Sequence, residues 1–390
     1  MRNGSILVVS LLLLLFLMLI VMFLLELQSQ LVRNFTLQRQ RLLVSNVARS
    51  GAFTLAEYLL SDQRRIGDLI DGNGTRSFSA SLPEFDKEGG VIRYEVIRSD
   101  TDLSITCEAS LGSVSERYTL KLSQHDVRFT FASVDGSITA HNSMTIKGDV
   151  VVSNGVLKAH QNAQIHGDVF LKNGSVDGVS VTGSIRNIPD VTFPLPPDPQ
   201  FNNERTLSGR EITISESGYK YNLDFHQGNN TLILDTTNAS PLWFAVGNLN
   251  LDNNTNIKVR GNGTVMIYVE GDIRAGNKLE ITIEQNARVL IYSDREGRFE
   301  FQNNFSVVKD VKPEVPGELY IYAPRKQIEL KNTANPNRSD MIGSIVAKSI
   351  TVKNNFNIEV SSSPPNFPIP QWTEYNPFHI KTFTYVGWTR

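Results

Sequence analysis

The chain has 390 residues and a formal net charge of -2, with Lys+Arg 38 against Asp+Glu 40, so there is no basic excess to argue for a nucleic-acid partner. Its one cysteine, Cys107, excludes an intrachain disulfide and reads as a small buried side chain in a strand. This length predicts two or three domains, and the wealth of Asn, Ser, Thr, Gly and Val suits strands joined by exposed turns.

Ile6 to Leu25 is twenty residues of apolar side chains interrupted only by Ser10. That is long enough to cross a bilayer as a helix. A cleaved secretory signal fits poorly, because the run is too long and no A-x-A-like site follows it. The reading is a retained single span. Arg33, Arg39 and Arg41 follow the span and only Arg2 precedes it. The positive-inside rule alone would therefore place the large domain in the cytoplasm. From Glu26 to Ile70, Leu31, Phe35, Leu42, Val47, Leu55, Leu59 and Ile66 recur at mostly helical spacing, and no proline occurs before Pro83. Residues 1–70 thus read as the span (6–25) and one long amphipathic helix, with Ser50-Gly51 the place for a kink.

Within 71–126 the period changes to two. Val91–Ile97, Leu103–Cys107 and Tyr118–Leu122 are predicted strands, joined by turns at 99–101 and 111–113. They make a small antiparallel meander on which the helix can bury one face.

The next segment repeats. Shifted by 19 residues, Ala140-His141 falls on Ala159-His160, Ile146 on Ile165, Gly148-Asp149 on Gly167-Asp168, and Asn154-Gly155 on Asn173-Gly174. A fixed period of this size marks stacked units. Inside each copy apolar residues alternate and Gly-Asp or Asn-Gly turns break the strands. Nineteen residues at about 3.3 Å each give a perimeter of about 60 Å, one turn of a flattened coil. Coils stacked about 4.8 Å apart share an inward apolar row that no single coil can bury. Residues 127–187 therefore read as the first coils of a parallel β-solenoid. In 188–205 lies a linker with five prolines in the twelve residues Ile188–Pro199, which no central strand admits. The pattern resumes over 206–363. There 248–259 is echoed by 349–360, Gly271-Asp272 repeats the corner, and apolar strands lie at 232–234, 265–269, 289–292 and 319–322. The tail, 364–390, holds Phe367, Trp372, Tyr375, Phe378, Phe383, Tyr385 and Trp388. It reads as a cap over the last coil, with an exposed adhesive surface as the alternative. The fold class is mainly β: a membrane helix, a meander, then a solenoid.

Chemistry is sparse. No P-loop, HExxH, GxSxG or EF-hand motif occurs. Asp149 and Asp168 recur at equivalent corners, which is turn chemistry rather than the paired carboxylates of a polysaccharide-cleaving β-helix. His141 and His160 would stack one coil apart. With His166 they are metal candidates, but no carboxylate or cysteine completes the set at ligand spacing. No catalytic residue, cofactor or metal site is assigned, and the chain is not read as an enzyme.

An apolar N-terminal span, one long helix, a meander and then a solenoid resemble the PilX-type type IV pilus assembly proteins, minor pilin-like chains with a repetitive β-helical C-terminal region. The likeness rests on the order of the Gly-Asp and Asn-Gly repeats of 148–174, the proline linker 188–199, Tyr322-Ala323-Pro324 and the later Ala347-Lys348 strand. It covers nearly the whole chain. It implies a right-handed solenoid in the family's common case, a bacterial single-pass membrane protein with its large domain outside, and a tip or initiating role in a filament. Its partners would be membrane lipid, other pilin or pseudopilin subunits, and a surface glycan or host surface. Ile6, Val9, Leu13, Leu17, Ile20 and Leu24 would pack between subunits. Gly4 and Ser5 would be the leader-cleavage junction. The likeness departs at the fifth position after Gly4, which is Val9 where pilins carry Glu, and two roles fit that departure: a tip or initiating subunit with no neighbour above it, or an uncleaved membrane protein. A cytoskeletal scaffold of bactofilin type and a glycan-binding or polysaccharide-active β-helix are the rival readings.

Overall fold

The computed structural model describes residues 3–389 apart from 61–64, 67–68, 71–72, 100–101, 189–190, 192, 227, 252–253, 277, 285, 303–304, 311, 313–315, 332–339, 354, 362–366 and 368–377. The side chains of 1–10, 126 and 379–385 also lie outside the described part. The chain divides into two units, one of residues 1–123 with 385–390, the other of 124–384.

In the first unit, α1 (Asn3–Leu60) is a single helix of 58 residues. Leucines and other good helix formers fill it and no proline interrupts it. Val44, Ala48, Ala52 and Ala56, at i, i+4 spacing, are at most 1% exposed. These small residues let the helix lie close to the sheet. At Gly51 a Cβ would come within 2.7 Å of both Cys107 Sγ and Tyr94 Oη. The glycine that suggested a kink is therefore a contact point, and α1 passes through it unbroken. The sheet comprises β1 (Gly74–Ala80), β2 (Gly90–Arg98), β3 (Asp102–Leu111) and the first half of β4 (Val114–Ser133), with short α2 (Pro83–Lys87) between β1 and β2. All neighbours pair antiparallel. β1 adds a fourth strand to the predicted three; it buries no side chain, so its apolar signal is faint. Cys107 is fully buried, and burial pushes its thiol up to about 11.

The second unit is a parallel β-solenoid. Three sheets run along it, each taking one short strand per rung. One rung illustrates the order: Thr255–Arg260 lies in sheet III, Thr264–Val269 in sheet I and Ile273–Ala275 in sheet II. The chain then returns to sheet III at Leu279–Ile283. Inward residues stack in register. In sheet III, Ile212, Leu232, Ile257, Ile281 and Val307 lie on successive rungs. In sheet II, Leu249, Ile273, Phe299 and Ile328 do so. These rows form one continuous apolar core.

The order of the rungs departs from the order of the chain. The last coil, 341–360, stacks on the first. Ile345 pairs with Phe131 in sheet I, Ile350 with Ile138 in sheet II, and Ile358 with Ile146 in sheet III. Phe131 and Phe356 stack across this seam with centroids 6.3 Å apart, and Ser344 Oγ donates to Phe129 O at 2.6 Å. The 19-residue copies then continue in register, Val150 on Phe131 and Val169 on Val150. The stack therefore begins at 203–214, climbs to 341–360, passes to 129–147 and ends at 169–187. The segment between 187 and 203 therefore joins the two ends of the stack rather than neighbouring rungs. Parallel rungs pair by matching inward rows, and adjacency in the chain has no say in that match.

From Phe193 to Phe201 the linker lies as a strap on the outer side of sheet I. Phe193 sits edge-on to Phe129, with centroids 5.7 Å apart. Tyr322 Oη donates to Pro194 O at 2.8 Å, Asp198 pairs with Arg295 at 2.5 Å, and Phe201 lies against Trp243 at 4.9 Å. Beneath it the outward row is apolar too: Ala245, Tyr268, Tyr292, Tyr322, Val346 and Ala132 in register. A second core forms there. It includes Phe367 and Phe378, each within 5.2 Å of the Tyr320 ring centroid. The coil 341–360 is internal to the stack and these two phenylalanines flank a sheet; of the tail read as a cap, 364–366 and 368–377 lie outside the described residues. In the first unit, Trp388 stacks on Tyr118 at 5.5 Å. Trp372 and Tyr375, and the side chains of Phe383 and Tyr385, lie outside the described residues.

Candidate functional site

Two surfaces stand out among the described residues. The first is the apolar part of α1. Leu13 is 60% exposed, Leu17 52%, Ile20 40% and Leu24 57%. No described residue covers this stretch, which is long and apolar enough to cross a membrane. The helix reaches back through Gly4, Ser5, Ile6 and Val9, whose side chains lie outside the described part. Burying so large an apolar surface in lipid or against other apolar helices is the only way to remove it from water.

The repeated corner residues are engaged in stacking. Asn154 and Asn173 adopt left-handed φ of 53° and 50°, which asparagine tolerates well. Asn173 Nδ2 donates to Asn154 Oδ1 at 3.2 Å. Asp168 N–H donates to Asp149 Oδ1, and Ser184 N–H to Asp168 Oδ1, both at 2.8 Å. Asn248 and Asp272 use the same device toward Asp272 N–H and Arg298 N–H. Burial, joined by the neighbouring Asp168 charge, raises the Asp149 carboxyl above its ordinary range. At Gly155 and Gly167 an added Cβ would collide with the carbonyls of Gly136 and Gly148 on the next coil, and Gly174 approaches Gly155 O nearly as closely. Gly148 has φ 144°. Asp149 and Asp168 each accept a backbone N–H from the next coil, so both are held at corners. The His141 and His160 rings stack at 5.0 Å. Among the described residues no three His, Cys, Asp or Glu side chains converge as a metal set, with or without His166.

The second surface is the outward side of sheet II, which is charged. Arg274, Glu300 and Glu329 occupy one outward row on successive rungs. Glu329 is 3% exposed and pairs with Arg298, with Lys331 at 3.1 Å and with Lys353 at 2.5 Å. Lys331 also pairs with Glu300 at 2.6 Å and holds that carboxyl below its ordinary range. Burial lowers the Lys353 ammonium, and Lys331 and Arg298 add to the effect. Nearby, Lys326 is wholly buried. Its Nζ donates to Gly271 O at 2.6 Å and Glu296 O at 2.8 Å, and Asp272 lies at 3.8 Å. Asp272, Ile273, Arg274, Arg298, Glu300 and Gln302 line a hollow of about 280 Å³. Sequence reasoning missed this network. Its members sit on separate rungs, and the only signal was charge recurring at outward positions of successive coils.

Residues 198–366 match the family described as a domain of unknown function, DUF7305. The match takes in the rungs from 203 to the seam and omits the 19-residue copies stacked beyond it. No curated protein matches the chain. The crystal structure of the competence-associated pilin ComZ from Thermus thermophilus is similar over 90% of this chain and 97% of that one, at 9% identity and a TM-score of 0.25, a likeness that carries no argument for function.

Proposed function

We propose that the chain is a membrane-anchored, pilin-like minor subunit that displays its β-solenoid at the surface of a bacterial cell, at or near the tip of a filament. One observation carries this reading: a single 58-residue helix whose far end lies on an antiparallel sheet while its apolar half is bare. Such a helix serves as an anchor in lipid and as a packing rod among like helices in a filament. Ile6, Val9, Leu13, Leu17, Ile20 and Leu24 are the residues proposed to pack. The apolar run carries no carboxylate to meet a neighbouring subunit's amine, which favours a position with no subunit above it. The role is mechanical and needs no catalytic residue.

The test is a deletion strain examined for filaments, together with protease treatment of intact cells. Loss or shortening of filaments and digestion of the solenoid are expected. Normal filaments would overturn the assembly role. A solenoid protected in intact cells would overturn the outward orientation and favour the scaffold reading, toward which Arg33, Arg39 and Arg41 point.

A further inference from the structure

The outward side of sheet II carries a column of two lysines and two histidines that no single part of the sequence contains. Lys331 N–H donates to Phe301 O, Lys353 N–H to Leu330 O and His141 N–H to Val352 O. Ala140 pairs with Ala159, which sets His160 beyond His141. Lys331, Lys353, His141 and His160 thus occupy the same corner on successive rungs, spaced by about 4.8 Å. The column exists only because the last coil stacks on the first. Beside it lies the hollow lined by Arg274 and Arg298. Glu300 and Glu329 are already paired with Lys331, Lys353 and Arg298. Arg274 is exposed and makes no ion pair among the described residues. Around the hollow, the four cations Arg274, Arg298, Lys331 and Lys353 stand beside the three carboxylates Asp272, Glu300 and Glu329.

We propose that this face binds a linear acidic polysaccharide along the solenoid axis, one uronate carboxylate seated on Arg274 in the hollow and others along Lys353, His141 and His160. A guanidinium offers a planar fork that fits a carboxylate in two-point contact. Gln302 and Asp272 in the same hollow suit sugar hydroxyls, as donor and acceptor in turn. Those hollow carboxylates also discriminate: Asp272 and Glu300 would repel the dense charge of a polyphosphate yet accept hydroxyls. The inference adds a ligand class to the surface-display reading but does not depend on filament assembly.

The experiment titrates the full chain in detergent micelles with a short mannuronate oligomer, with a neutral mannan oligomer of the same length, and with inorganic polyphosphate. The mannuronate is expected to bind, more weakly as salt rises, and the mannan not to bind. Arg274→Glu with Lys353→Glu is expected to weaken binding about tenfold or more, the scale of one lost charge-assisted contact. Lys258→Glu, an exposed sheet III lysine, should leave it unchanged. If the double variant melts early, Arg274→Gln alone is read, with a loss of about threefold expected. No mannuronate binding, equal binding of mannan, tighter binding of polyphosphate, or indifference to Arg274 overturns the proposal. Filaments are counted separately in cells carrying the double variant, so failure of binding and failure of the filament reading remain distinct.

Discussion

Sheet I and sheet III are built on the same rungs, yet they read differently in the sequence. In sheet III the strand Thr255–Arg260 alternates, with Ile257 and Val259 inward and Lys258 outward. In sheet I the strand Thr264–Val269 is apolar almost throughout, because Ile267 faces the core while Met266 and Tyr268 face the strap. Alternation marks a wall with water on one side; a continuous run marks a wall buried on both. The strap is what converts one into the other, and its own prolines suit it to the task because it needs no ladder hydrogen bonds.

The comparison can be broken in graded ways. The largest effect is expected where all walls meet, at the seam. Phe356→Ala removes a fully buried ring stacked on Phe131 and should cost about 3–5 kcal/mol in denaturant unfolding. Next, Met266→Ala on the outer side of sheet I should cost about 2–5 kcal/mol, while Lys258→Ala on the outer side of sheet III should stay within about 0.5 kcal/mol. Equal costs for these two would refute two-sided burial. Asn154→Ala, forced to keep a left-handed corner and losing its amide ladder, should cost about 1–2 kcal/mol, and Asn154→Gly less. Of the changes expected to destabilise, the mildest is Tyr322→Phe, which removes the hydrogen bond to the strap at Pro194 and should cost about 1 kcal/mol by thermal melting.

Much of the architecture was legible. The 19-residue copies announced stacking, and Gly148-Asp149 and Asn154-Gly155 announced its corners. The interior rows followed from alternation, as at Ile146 and Ile165. What could not be read was the junction of Ile350 with Ile138. Nothing in either segment names its partner, since any apolar row fits any other of similar width. The echo of 248–259 in 349–360 hinted at shared form without revealing which neighbour each would choose. The charged face was hidden for a related reason. Arg274, Glu300 and Glu329 are set in one row by rung spacings of 26 and 29 residues, and the next step, from Glu329 to Thr351, is 22, too irregular for a simple period.

The seam bears on how the molecule acquires its form. Residues 129–147 are synthesised early but must wait for a segment more than two hundred positions downstream before their exposed side finds its match. Closing so long a loop costs little extra stability, since each doubling of length adds about 0.6 kcal/mol, but distant pairings slow the search for the native state. A rearranged gene in which 203–360 precedes 129–187 would keep every rung contact, dispense with the strap's return journey, and assemble in one direction.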